Sequence, residues 1–185
     1  MRDPLGLRCA LDEYAGRHPD EWAVVDRFRA LLSEGARAFT RGREAGHLTA
    51  SAWVLDGSRE HVLLVHHRKL GKWLQPGGHA DGNTDLPAVA RTEVLEETGV
   101  EADGPHLEQI LDIDIHPIPT LGTVPAHEHF DIRFLLTAVG TPAPQRNHES
   151  HDARWVASDR IEELTTEASI LRMREKAAGL RIQSR

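Results

Sequence analysis

The sequence predicts an α/β protein: a mixed β-sheet between two helical layers, an α/β/α sandwich, with a helical N-terminal extension. Two observations predict it. Short apolar runs bounded by Gly, Pro and Asp alternate with longer stretches of helical period, the pattern of strands and helices sharing one sheet. The 185 residues, 39% of them hydrophobic, also suit one domain that buries about 70% of its unfolded surface.

Residues 5–16 and 20–34 read as two helices, the second with an apolar stripe of Trp22, Val25, Phe28 or Arg29, and Leu32. A Gly- and Arg-rich connection, Glu34 to Gly46, leads into a strand at 48–55. Residues 1–46 are therefore an extension packed on a domain at 47–185. A structural cap is the preferred role for it, ahead of a homodimer contact or a cover over a cleft. Asp56-Gly57-Ser58 breaks the chain before a strand at His61–Val65, and Trp73-Leu74 ends a short strand that runs into Pro76-Gly77-Gly78. A helix follows, capped by Thr84 or Asp85, with Pro87 in its first turn and Gly99 as its stop. Further strands are expected at 107–115, 127–138 and 152–156, and helices at 159–164 and 167–179. Pro117 to Pro125 and Thr141-Pro142-Ala143-Pro144 read as loops, the first long enough to suggest a function.

The helix that starts near Thr84 carries Glu93, Glu96 and Glu97. At about 100° per residue, Glu96 lies roughly 60° to one side of Glu93 and Glu97 roughly 40° to the other, so the three share a face. Like charges at that spacing repel, which points to a cation among them. Few hard oxygen ligands suit Mg²⁺ or Mn²⁺ shared with a substrate phosphate. A solvated acidic face is the competing reading.

The stretch from Gly78 to Val100 resembles the Nudix box, G-x5-E-x7-R-E-U-x-E-E-x-G-U with U apolar. It matches at Gly78, Glu93, Val94, Glu96, Glu97, Gly99 and Val100. Pro76-Gly77-Gly78 and the downstream strands extend the resemblance over residues 48–160. Two positions depart from the pattern: Thr84, beside Asp85, stands for its first glutamate, and Thr92, beside Arg91, for its arginine. On the helix Arg91 lies about 140° from Glu96, too far round to brace the same carboxylates. Losing such a supporting partner typically costs about 10- to 100-fold, so reduced activity is expected rather than none.

The resemblance implies a Nudix-type sandwich and a divalent-metal-dependent hydrolase. It would cleave the diphosphate linkage of a nucleoside diphosphate joined to another group. It also implies metal ligation by Glu93, Glu96, Glu97 and the Gly77 carbonyl. The catalytic set is Glu97, Glu96 and Glu149, with Glu97 or Glu149 as the base; an ordinary loop carboxylate is the other reading of Glu149. A weakly active or inactive nucleotide-binding module with a degenerate box is the alternative. An isoprenyl diphosphate isomerase is disfavoured, because that chemistry uses a cysteine near the substrate and Cys9 lies in the extension.

Substrate phosphates need positive groups as well. Arg68 and Lys72, just before the Gly-rich turn, are the candidates, a solvated basic loop being the competing reading, with His79 beside the turn as a further substrate contact. Twelve histidines form a second feature. Alternation places His127, His129 and Asp131 on one strand face, and with His79 and His116 they could form a second, His-bound metal site. Trp53, Trp73 and Phe130 could stack on a base, burial being the preferred reading for each.

A net charge of −7 argues against nucleic-acid and anionic-membrane partners; a small nucleotide or other diphosphate as partner is what the resemblance implies. The single cysteine excludes an internal disulfide. Charges at Arg2, Asp3, Arg8, Asp12 and Glu13 interrupt any leader-like or spanning run, and a cytoplasmic location is expected.

Overall fold

The computed structural model describes residues 4–104, 109–120, 122–140 and 142–183. Residues 107 and 108 of the expected strand at 107–115, and Thr141 of an expected loop, lie outside the described residues. Among the described residues four α-helices, α1 (Pro4–Arg17), α2 (Trp22–Leu32), α3 (Leu86–Thr98) and α4 (Ala168–Gln183), accompany eight strands. The strands are β1 (Gly46–Leu55), β2 (His61–His67), β3 (Lys72–Leu74), β4 (Gly77–His79), β5 (Ala102–Asp103), β6 (Ile110–Ile118), β7 (His127–Ala138) and β8 (Ser150–Ala157). Among the described residues no helix is long and apolar enough to cross a membrane.

β1 is the spine of a mixed sheet. It runs parallel to β7 along its whole length, from Gly46 beside Glu128 to Leu55 beside Thr137. Its other edge is shared by β4 and, through the Leu55–Val62 pair, by β2. β6 and β5 pair antiparallel with β7, while β8 and β3 flank β2.

The period of two sorts side chains onto the two faces. Leu48, Ala50, Ala52 and Val54 of β1 join Phe130, Ile132, Phe134 and Leu136 of β7 in a core covered by α1, α2 and α3. Trp53 and Leu55 turn the other way and meet Ile170, Met173 and Ala177 of α4. This is the expected sandwich. The helical extension contributes Leu11, Tyr14, Val25, Phe28, Leu31 and Leu32 to the first core, and Phe28 meets Phe130 edge to face at 5.4 Å.

Several local expectations need correction. Trp22 is not part of the buried stripe: it is exposed, with the Arg29 guanidinium 4.7 Å over its ring, and Leu31 takes its place in the core. The stretch at 159–164 is a single 3₁₀ turn, Ile161–Glu163. β6 runs through Pro117 to Ile118, because Pro117 sits opposite Glu128 on a strand whose far edge needs no donor. Gly77 and Gly78 form a short strand against Ser51 and Ala50 instead of an open turn.

Candidate active site

The box helix is set by local chemistry. The Asp85 carboxylate accepts from the Ala88 N–H at the N-terminus, and Gly99, at φ 67°, ends the helix with its N–H bonded to the Leu95 carbonyl. Leu86, Val89, Ala90 and Val94 anchor one side in the core. The opposite side presents the glutamates to β4.

Both β4 glycines sit at close approaches. A Cβ at Gly78 would overlap the Glu93 carboxylate, and one at Gly77 would overlap Ser51. The Gly77 N–H donates to Glu97 Oε1 at 3.1 Å. Burial pushes the Glu97 carboxyl up to about 8, with Glu93 and Glu149 adding to the shift and the Gly77 N–H opposing it. Glu93 is raised too, by burial first and then by Glu96, Glu149 and Asp81. Glu96 is exposed at the rim of the same face. Glu149, exposed just before β8, is close enough for its charge to act on both Glu93 and Glu97. The structure thus brings Glu93, Glu97, Gly77 and Glu149 together.

A cavity of about 140 Å³ opens beside Glu97, lined also by Gly77, Gly78, Thr49, Ser51 and Gln75. Among the described residues that line it there is no lysine or arginine. Lys72 pairs with Glu167 at 2.9 Å, and Arg68 is exposed and donates to the Ser150 carbonyl. Arg41 is a cation the sequence did not single out. Asp81 grips its guanidinium through two 2.6 Å hydrogen bonds, and Asp81, then Glu93 and Glu149, raise its pKa. Nothing local in the Gly- and Arg-rich connection marks it, because the partners lie 40 residues on.

Thr92 is exposed, Asp85 is used as the helix cap, and Arg91 faces Asp103 at 3.5 Å. Trp53 and Phe130 are buried in the two cores, and Trp73 stacks on His66 with Arg154 over its ring.

On the α4 side of the sheet, beyond the end of that helix, lie five histidines: His47, His79, His116, His127 and His129. His79 is held down to about 4 by burial, Arg41 and His47, and His129 lower still by burial and its histidine neighbours. Asp131 shares their face but is saturated, accepting from Thr49, Ser51 and Arg133 at 2.8–2.9 Å. His47 was absent from the sequence reading. Its parity with Thr49 was readable, but its neighbours depend on the β1–β7 register.

A family model described as the NUDIX domain matches residues 46–175. The Xenopus laevis protein named nucleoside diphosphate-linked moiety X motif 6 is 39% identical over 66 residues, which are 35% of this chain and 30% of that protein. The matched stretch is therefore under a third of that relative. Among solved structures, a C. elegans Ap4A hydrolase binary complex superposes with a TM-score of 0.52 at 15% identity, over 74% of this chain and 98% of that one. A NUDIX family hydrolase from Clostridium perfringens gives 0.52 at 22% identity, over 72% and 97%. The MutT protein from Methanosarcina mazei Go1 gives 0.53 at 19%, over 72% and 94%. These three speak to the fold, whereas the family model spans the strands and the glutamate helix that build the site: the chain belongs to the NUDIX family of hydrolases.

Proposed function

We propose that the chain hydrolyses the diphosphate linkage of a nucleoside diphosphate joined to a second group, with Mg²⁺ or Mn²⁺ held by Glu93, Glu96, Glu97 and the Gly77 carbonyl. The donor chemistry fits such an ion: burial and mutual repulsion raise Glu93 and Glu97, and a dication relieves both effects. When bound, it would neutralise phosphate oxygens and acidify the attacking water.

One observation carries the reading. Glu97 is a half-buried carboxylate at the cavity wall, oriented by the Gly77 N–H and set beside the Glu93 carboxylate that packs against Gly78. A carboxylate held in that position takes a proton from water as the oxygen attacks phosphorus, and the P–O–P bridge breaks toward the leaving phosphate. General-base help of this kind is worth about 10²- to 10⁴-fold. Glu93 and Glu96 position the cation, and Glu149 adds negative charge that favours its binding. Arg68 and Lys72 are assigned to substrate phosphates, whereas His79, kept neutral by burial, faces His47 and His129 instead. For Lys72 that role requires exchange of its Glu167 partner.

The names of the relatives, one a nucleoside diphosphate-linked moiety X motif protein and one an Ap4A hydrolase, guide the choice of substrates. The test is a screen with Mg²⁺ or Mn²⁺ over nucleoside triphosphates, nucleotide sugars, ADP-ribose and dinucleoside polyphosphates, with Glu97→Gln as control. The expected result is metal-dependent release of a nucleotide by the parent chain and a loss of about 100-fold or more in the variant. No product from any substrate, or equal product from the variant, would overturn it.

A further inference from the structure

Beyond the end of α4 the sheet carries ligating side chains that the carboxylate chemistry does not use. His47 is the second residue of β1, and the parallel register sets it beside His129 of β7, with His127 two positions earlier. One ring nitrogen from each of these three lies within 4.8 Å of the others. His79, on the neighbouring β4, has its ring centroid 4.8 Å from His129 and 5.2 Å from His47.

The hydrogen bonds show which lone pairs are free. His127 Nδ1 lies 2.9 Å from the Pro125 carbonyl. A carbonyl only accepts, so Nδ1 carries the proton and Nε2 keeps its lone pair. A backing acceptor of this kind orients metal-ligating imidazoles. His127 Nε2 then stands 3.3 Å from His129 Nε2. Two nitrogens each about 2.05 Å from one tetrahedral ion are separated by about 3.3 Å. A hydrogen bond between the pair would satisfy those two rings but leaves His47 unexplained. His47 is 3% exposed, and neither of its ring nitrogens meets hydrogen-bond geometry with a partner, the Arg43 backbone lying near enough only to favour its proton. A buried imidazole without a partner is costly unless something else takes its lone pair.

We propose that His47, His127 and His129 bind one first-row transition metal ion, zinc in the first instance, with His79 completing a four-coordinate shell. All-imidazole donors suit zinc, cobalt and nickel, whereas the glutamates suit magnesium and manganese, so the two centres differ in the ion they select. His129 also lines the cavity beside Glu97. An ion there sets positive charge on a wall without lysine or arginine; that consequence rests on the hydrolase reading, but the binding site itself does not.

The test uses the full chain without a histidine tag, loaded with zinc or with cobalt, desalted and measured by elemental analysis and by the visible spectrum of cobalt. About one ion per chain and a tetrahedral cobalt spectrum are expected. His47→Ala and His127→Gln, each checked for folding by circular dichroism, should lose affinity by about 10-fold or more. Glu97→Gln and His148→Ala should retain the ion, His148 being 90% exposed. Failure of the folded parent chain to retain zinc or cobalt above a buffer blank overturns the proposal. So does equal retention by the folded histidine variants, or loss in Glu97→Gln alone, which would place the ion on the carboxylates. Zinc retained by a chain inactive on every diphosphate tested would overturn the hydrolase reading and leave the metal site standing.

Discussion

Glu97 couples the chemistry of the site to the stability of the chain. Its carboxyl has an ordinary value of 4.5 and rises to about 8 through burial, with Glu93 and Glu149 adding to the effect. The folded chain therefore holds this proton more tightly than the unfolded one, and the stabilisation is complete at low pH and is lost as pH climbs from about 4.5 to about 8. In EDTA, the melting temperature should fall across that window, and Glu97→Gln should flatten the fall and melt about 5 °C higher at pH 8. A parallel fall in parent and variant would show that other groups set the slope. The two glycines of β4 give a matched pair. Gly78→Ala meets only the end of the Glu93 side chain, which can swing aside, so activity should drop about 10-fold or more with stability nearly unchanged. Gly77→Ala meets the Ser51 backbone, which cannot move, and should cost about 1–3 kcal/mol in urea unfolding. Thr92→Arg, at an exposed position one turn before Glu96, should raise metal-dependent turnover; an unchanged rate in the folded variant would mean that this position does not limit the enzyme.

At the scale of elements, a buried ionic cluster ties the two ends of the chain to the sheet. Arg133, 3% exposed, pairs with Asp112 and Asp131, and Arg172 of α4 also reaches Asp112 and Asp114. Lys176 joins Asp112 to Glu21 and to the Tyr14 hydroxyl, so α1, α4 and β6 meet at one carboxylate. Burial opposes the charge on Asp112, but Arg172, Arg133 and Lys176 outweigh it and hold its pKa below the usual carboxylate range. Asp112→Asn leaves buried cations undercompensated and should cost about 3–5 kcal/mol by denaturant unfolding. A change below about 1 kcal/mol would show that Asp114 and Asp131 suffice. The sequence made α3 legible because its cap, apolar side and glycine stop are all local. This cluster was not legible, since Asp112 and Lys176 are separated by 64 residues and Arg133 reads as an ordinary strand charge. The same reason hid His47 and Arg41, whereas His127 and His129 were visible as a strand alternation.

At the scale of the molecule, the helical extension and the NUDIX domain share one core, although the family model begins at residue 46. Removing residues 1–33 would bare Phe130 and its neighbours on the sheet. We expect the shortened chain to bind a hydrophobic dye and to lose its sharp unfolding transition; a cooperative melt near that of the full chain would instead make the extension an ornament. The architecture itself was legible because alternating strand and helix periods admit few layer arrangements. The short strands β3, β4 and β5 were harder to read, since three residues or fewer carry little period. The central pairing of β1 with β7 also has a consequence for biosynthesis. Thr49 must wait for Asp131, 82 residues later, before the spine of the sheet can close. At about 5–20 residues per second the ribosome needs roughly 4 to 16 s to deliver that partner. During that interval the apolar face of β1 has no parallel neighbour, so a chain stalled before β7 is made should expose that face and aggregate more readily than the full chain.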